Sequence, residues 1–551
     1  MSRDRDERVG IILSLVIGIL VGLVVVAFVL LTGRLSARMY PAGGQPWRRL
    51  VIPVIGSLIS GILVFRFFPD ARGSGIPQTK FAIFINNGFL SLRTVLGKFV
   101  CCSISLASGI ALGREGPSVH IGAGIASVLA RRFGLSPATV KAMVPVGCSA
   151  ALAAAFNTPI AAVLFSLEEI MGDLHAPILG SVVISSATSW MVLHLVLGDE
   201  PLFHVPAYQL VNPAELGIYA VLGVAGGLCS VLFVKLLLAM RKGFMKLPKS
   251  SAWLQPVAGG LAVGVIGWFV PEILGVGYDL IDRVLLGNTS LKVLVVMVIL
   301  KIIATATCYS SGNAGGIFGP SLFIGAMVGG SVGSIAHHLF PHSTASPGAY
   351  ALVGMGTAFA GIVRTPLTSV FMIFELTRDY SIVVPLMISN LISFFISSKL
   401  QPEPIYEALS LQEGVYLPTL EDRAGLEDIR VEMAMQRDAI PLSPEITLGA
   451  AQDRLNEIQQ GSWPVADGRR LLGLLTAKHL GAVLDTDLPV GSVMTEQSEL
   501  FVYADQSLSY ALARMGSAQV DALPVVSRAN RAELIGILRR SDVLTAFGVG
   551  K

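Results

Sequence analysis

An all-α polytopic membrane domain followed by a small soluble α/β tail is the fold class this sequence predicts, and three observations predict it. The chain is apolar: 53% of its 551 residues are hydrophobic and only 14% charged, where a soluble globular chain carries about a quarter charged residues. Its apolar residues come in uncharged runs long enough to span a bilayer, such as 10–32 and the stretch from Ala142 to Leu167. Near Lys399 the composition changes, and charges in alternating strand-and-helix patterns replace the long runs. These shifts divide the chain into a membrane domain over 1–400, a linker over 401–428 and a soluble tail over 429–551.

The first run reads as a membrane segment and not a cleaved leader, because many further runs follow it. The membrane part then repeats itself. "GREGPSVHIGA" (113–123) matches "GIFGPSLFIGA" (316–326) at an offset of 203, and "TPIAAVLFSLEE" matches "TPLTSVFMIFEL" at an offset of 207. The second match sets Glu168 on Glu375 and leaves Glu169 opposite Leu376. Two related halves, about 10–205 and 213–400, are a common transporter construction, often inverted, with substrate held between them near the midplane. We expect inverted halves. The tail repeats too: "SWPV" (462–465) with "ALPV" (522–525), and "LGLLTAKHLGAVL" (472–484) with "IGILRRSDVLTAF" (535–547). Two β-α-β-like modules, 429–488 and 489–551, fit this pattern.

Three motifs in the membrane part share one grammar, a glycine-rich turn, then proline, then an apolar helical run. They are Gly73-Ser74-Gly75-Ile76-Pro77, Gly113-Arg114-Glu115-Gly116-Pro117 and Gly316-Ile317-Phe318-Gly319-Pro320. Proline suits the first helical turn, and glycine permits unusual backbone angles and close approach. Each motif is therefore expected to start a helix inside the membrane, with free N–H groups and the positive dipole end exposed, an arrangement that binds anions. Non-helical backbone at that depth survives only where it is buried or lines a cavity. Ordinary kinks would produce one such motif; three, two of them repeat-related, favour a site. Charge at bilayer depth is costly and marks function, which singles out Glu115. A salt bridge to Arg114 does not explain it, because adjacent helical residues do not face each other; Arg114 is expected to partner something else.

These motifs, in this order, resemble those of the CLC family of chloride channels and chloride/proton antiporters over about 1–410, and the tail resembles a pair of CBS domains. The resemblance implies a gating role for Glu115 and an internal proton-transfer role for Glu169, whose bland reading is an acid reaching water at a helix end. It also implies that Ser74 and Tyr406 donate hydroxyls to a central chloride, completed by the backbone N–H groups of Ile317 and Phe318. On chemistry alone Ser74 could be a turn residue and Tyr406 an interfacial tyrosine. Glu168 and Glu375 read as structural, joined to backbone or arginine. Nitrate-preferring relatives tend to have proline at the Ser74 position, and fluoride exporters depart from GSGIP and the internal acid, so chloride is favoured. A homodimer with one pathway per subunit, in the plasma (inner) membrane with a cytoplasmic tail, also follows from the resemblance.

The remaining signals are weak. A net charge of +3 gives no nucleic-acid footprint, and five cysteines, an odd number, read as small buried hydrophobes. His337, His338 and His342 lie around Pro341 without an HExxH, so no metal site is expected; His120 reads as a polar residue in a helix. No GxSxG elbow or P-loop supports an enzyme. In CBS pairs the nucleotide signature is Gly-apolar-apolar-Ser/Thr-x-x-Asp. Here the first module has Gly473 and Thr476 but His479 for the aspartate; the second has Gly536 and Asp542 but Arg539 for the hydroxyl. An adenine nucleotide at Thr476 and Asp542 stays open beside a structural or dimerising tail. The leading expectation is a chloride/proton antiporter. Its alternatives are a passive, voltage- or pH-gated chloride channel of the same fold and, from another class, a membrane-anchored nucleotide sensor.

Overall fold

A computed structural model describes residues 2–174, 178–199, 202–203, 205, 210–415, 429–438, 440–457, 461–476, 479, 485–496, 500–518 and 520–546. The chain divides into two units, Met1–Ala82 with Gly88–Val415 and Ile83–Asn87 with Tyr416–Lys551.

The first unit is helical. Its first half runs through α1 (Ser2–Met39), α2 (Trp47–Arg66), α3 (Ile76–Phe84), α4 (Leu92–Ala107), α5 (Glu115–Arg132), α6 (Pro137–Phe156), α7 (Pro159–Phe165) and α8 (Leu179–Leu197). The second runs through α9 (Glu215–Met245), α10 (Gln255–Phe269), α11 (Tyr278–Leu285), α12 (Leu291–Ser310), α13 (Phe318–Leu339), α14 (Pro347–Ile362), α15 (Pro366–Thr377) and α16 (Val383–Leu400), and α17 (Ile405–Gln412) follows. Among the described residues, eight helical stretches are long and apolar enough to cross a membrane.

The uncharged stretch from Ala142 to Leu167 is not one helix. Asn157 takes the left-handed conformation (φ 61°) and ends α6, and Pro159 opens α7. At the equivalent place Arg364 (φ 69°) ends α14 and Pro366 opens α15. Beyond α7 the chain widens into a π-helical turn, Ser166–Met171, which holds Glu168 and Glu169.

Two contacts relate the halves by a local two-fold axis, as inverted halves require. Gly113 and Gly316, equivalent in the repeat, form an antiparallel bridge in which each N–H donates to the other's carbonyl at 2.7 Å. An antiparallel pairing of equivalent residues sets a local two-fold axis between them. The acids then exchange partners. Glu168 accepts the N–H groups of Leu367 (3.2 Å) and Thr368 (2.8 Å) at the start of α15. Glu375 accepts those of Ile160 (2.9 Å) and Ala161 (2.8 Å) at the start of α7. Each carboxylate satisfies orphan amides and faces the positive dipole end, so both are joined to backbone, one of the two partners the sequence left open. Close packing is also paired: Gly122 of α5 abuts the Gly147 carbonyl of α6, and Gly325 of α13 abuts that of Gly354 in α14. Small residues let helix backbones approach this way where lipid gives no hydrophobic drive.

The expected linker starts too early. Residues 405–412 form α17 inside the first unit, because Arg241 of α9 donates to the Leu409 carbonyl (3.0 Å) and the Gln412 side chain (3.3 Å) and pairs with Glu413. The rest of that segment, 416–428, lies outside the described residues. Four of the cysteines are buried as expected, and Cys229 is half-buried.

The tail unit holds two three-stranded sheets, β1 (Ser462–Asp467), β2 (Arg470–Thr476) and β3 (Thr495–Glu496), then β4 (Val502–Tyr503), β5 (Ala522–Val526) and β6 (Leu534–Arg539). The repeated hairpins share a register: Val465 faces Gly473 and Val525 faces Gly536, each followed by a bulge. Most of the repeat's 477–484 segment lies outside the described residues. The module boundaries differ from a split at residue 488. β3 pairs with β2, and Val490 packs in the first core. The opening segment packs with the second module instead: Val431 lies in that core and donates its N–H to Gln506 (2.9 Å). Neither hairpin fills its core alone, so flanking segments are exchanged to complete each.

Candidate functional site

The three glycine-proline motifs converge. Gly73 (φ 71°) and Gly75 (φ 99°) turn the chain around Ser74 into α3. The loop's carbonyls are bound back. The Lys98 ammonium, fully buried, takes those of Ala71 (2.9 Å), Arg72 (3.2 Å) and Gly73 (2.7 Å). His120 and Thr79 each donate to the Gly75 carbonyl at 2.8 Å, so His120 fixes the motif. Gly116 of the second motif packs on the first so closely that a Cβ would lie 2.5 Å from the Ser74 hydroxyl. The bridge from Gly113 to Gly316 ties the second motif to the third.

Glu115 opens α5 and is fully buried. The sequence suggests that its carboxylate would compete for the amides of a helix start; the amide it uses is the other half's, Gly319 N–H at 3.2 Å in α13. Its second partner is the Tyr278 hydroxyl, at the start of α11. Arg114 does find another partner: its guanidinium lies over the Tyr278 ring, 5.4 Å from the centroid. Ile317 and Phe318 sit in the same helix start as Gly319, both fully buried. The Phe318 ring packs among Phe156, Phe165 and Phe359.

Ser74 and Tyr406 are both fully buried, and among the described residues neither hydroxyl has a partner at good hydrogen-bond geometry, although the two side chains lie within interaction range of each other. Orphaned buried hydroxyls are uncommon, and each needs a reason. Tyr406 lies within electrostatic reach of Ser74, Glu115 and Glu169, so the four residues singled out from sequence share one region. Glu169 is buried and pairs with Lys80 of α3 at 3.0 Å; Lys80 also reaches Glu407 of α17 at 3.4 Å. Adjacent carboxylates thus have different duties, Glu168 capping α15 and Glu169 meeting a cation, and the wide π turn that carries them is a feature frequent at functional sites.

Several of these residues were not found from sequence. Lys80, Lys98 and Glu407 have partners far along the chain, which no local pattern reveals. Tyr278 had a signal: Gly275-Val276-Gly277-Tyr278 is the repeat equivalent of Gly73-Ser74-Gly75-Ile76, with φ 66° and 89° at its glycines. Lys301 binds the carbonyls of Ile273 (3.4 Å) and Gly275 (2.7 Å) as Lys98 does in the first half.

Elsewhere, His337 meets the Thr344 hydroxyl at 3.3 Å, and no group of three metal-ligating side chains occurs among the described residues. In the tail Thr476 is engaged with His479. Asp542 is held by the Arg539 guanidinium (2.8 Å) and by Gln436 (3.1 Å). The two candidate nucleotide positions are thus each occupied by neighbours.

A family model described as "Voltage gated chloride channel" matches residues 56–398, and one described as "CBS domain" matches 490–548. Among curated proteins, the H(+)/Cl(-) exchange transporter ClcA of Vibrio campbellii is 33% identical over 365 residues, covering 64% of this chain and 78% of that one. Among solved structures, a slow cyanobacterial Cl-/H+ antiporter aligns with TM-score 0.68 at 26% identity, over 73% of this chain and 97% of its own. A eukaryotic CLC transporter aligns with TM-score 0.68 at 21% identity over 97% of both chains, a likeness of fold that extends through the tail.

Proposed function

Because the chain belongs to the voltage-gated chloride channel (CLC) family and is an integral membrane protein with a CBS domain, we propose that it carries chloride across a membrane in exchange for protons. The observation that carries this reading is the pair of buried hydroxyls of Ser74 and Tyr406, which have no well-aligned partner among the described residues and lie within electrostatic reach of two buried glutamates. Chloride is the substrate. It accepts from those hydroxyls and from the helix-start amides of Ile317 and Phe318, and is held by dipoles and not by a full cation, so it can leave again. Glu115 is the external gate. Its carboxylate occupies the Gly319 amide when ionised and gives it up when protonated. Glu169 passes protons from the inner side toward Glu115. The relatives' names and the cyanobacterial antiporter's likeness support exchange.

A passive channel of this fold needs no buried acid at position 169, and the Lys80–Glu169 pair favours the antiporter. The internal engagement of Thr476 and Asp542 weighs against a nucleotide sensor and favours a structural or dimerising tail. The assembly proposed is a homodimer with one pathway per subunit, in the plasma (inner) membrane with the tail cytoplasmic; the family resemblance supports it.

Transport in proteoliposomes tests the reading. With a chloride gradient and no initial proton gradient, internal pH and external chloride are recorded together. Uphill proton movement opposite to chloride is expected; chloride flux without it makes the protein a channel. Glu169→Gln is expected to abolish proton movement while chloride still flows, and unchanged coupling removes Glu169 from the mechanism.

A further inference from the structure

From the geometry around Glu115 we infer that Tyr278 is its latch, a positioning residue whose hydroxyl holds the carboxylate on the Gly319 amide and so sets the pH at which the gate opens. This rests on the reading of Glu115 as the gate. Glu115 is fully buried. Among the described residues the Tyr278 hydroxyl is the one side-chain group that hydrogen-bonds its carboxylate, the other partner being Gly319 N–H.

The latch is itself held. The edge of Phe203 meets the Tyr278 ring at 5.2 Å and 81°, and Arg114 covers its face. A cation over the ring strengthens the phenol as a donor. Arg114 and Glu115 are therefore joined through Tyr278: the arginine fixes the ring, and the ring's hydroxyl fixes the carboxylate. The backbone supports this, because Tyr278 opens α11 directly after the left-handed Gly277, in a loop anchored by Lys301. By the inverted repeat, this loop is the counterpart of the one that presents Ser74. One half offers a serine hydroxyl toward the anion, the other a tyrosine hydroxyl toward the anion's competitor.

Tyr278 also lines a cavity of about 450 Å³ with Arg114, Glu272, Asp279 and Arg283. A carboxylate leaving the Gly319 amide for that cavity must break the tyrosine bond. The titratable and charged groups facing Glu115 are Tyr278 from α11, Tyr406 from α17 within electrostatic reach, and Arg114 beside it. A hydroxyl that donates to the carboxylate holds it on the Gly319 amide, so removing it lets the gate open more readily, and at higher pH.

The test uses the full chain in proteoliposomes, with chloride flux followed against pH. Tyr278→Phe keeps the ring between Phe203 and Arg114 and removes only the hydroxyl. Its flux midpoint is expected to move up by about one pH unit, with flux at alkaline pH raised several-fold. A midpoint equal to the wild type overturns the latch. In a Glu115→Gln background Tyr278→Phe is expected to change nothing further; a shift there also overturns it, because the tyrosine would then act on something else. The gate reading fails separately and visibly, if Glu115→Gln alone retains proton coupling and the wild-type pH profile.

Discussion

Glu168 and Glu169 are neighbours in the chain, and substitution should separate them. Glu168→Gln leaves the start of α15 with weaker acceptors and is expected to cost about 1–2 kcal/mol, the scale of a charge-assisted hydrogen bond, with proton coupling intact. Thermal unfolding in detergent, followed by the pH assay, checks both halves of that statement. Lys80→Met strips a buried carboxylate of its cation and is expected to destabilise by about 3 kcal/mol, whereas Lys80→Met with Glu169→Gln recovers most of the loss, since an uncompensated charge costs more than a missing pair. Equal melting temperatures for the single and double variants would show that the pair contributes no such strain. Glu169 was legible because the repeat left it without an acidic counterpart. Lys80 was not, since its partners Glu169 and Glu407 lie 89 and 327 positions away and nothing in the local sequence points to them.

The broken helix is the element that builds the proposed site, and its sequence grammar was readable where proline follows the glycines. Three such starts were found and converge as expected. The fourth, Gly275-Val276-Gly277-Tyr278, escaped because no proline follows and valine replaces serine, although its backbone angles match those of Gly73 and Gly75. Contact between elements is just as specific. Gly116→Ala is expected to lower chloride flux at least tenfold while the protein still folds, because the added methyl meets the Ser74 hydroxyl and must push that loop aside; normal flux would show that the loop yields freely. The apolar run through Asn157 was readable as membrane, but its break was not: a left-handed asparagine ahead of Thr158-Pro159 carries no charge to announce it.

For the molecule as a whole, composition alone separated the membrane part from the tail. The repeats showed that each is doubled but left the first pair's handedness open, because handedness lives in which residues meet and not in which residues match. In the tail, Asp542 is engaged by the Arg539 guanidinium, which weighs against its binding a nucleotide. Millimolar ATP or AMP is therefore expected to leave the melting temperature of the full-length protein unchanged, since a ligand that binds only the folded state must raise it. A clear upward shift would reinstate the nucleotide reading. The exchanged acids Glu168 and Glu375 carry a further consequence. Each half builds a helix start that only the other half can terminate chemically, and an amide left bare in hydrocarbon costs several kcal/mol. The two halves are thus obligate complements: made as separate chains, each should be lost from the membrane on its own, and the pair should rescue one another when made together.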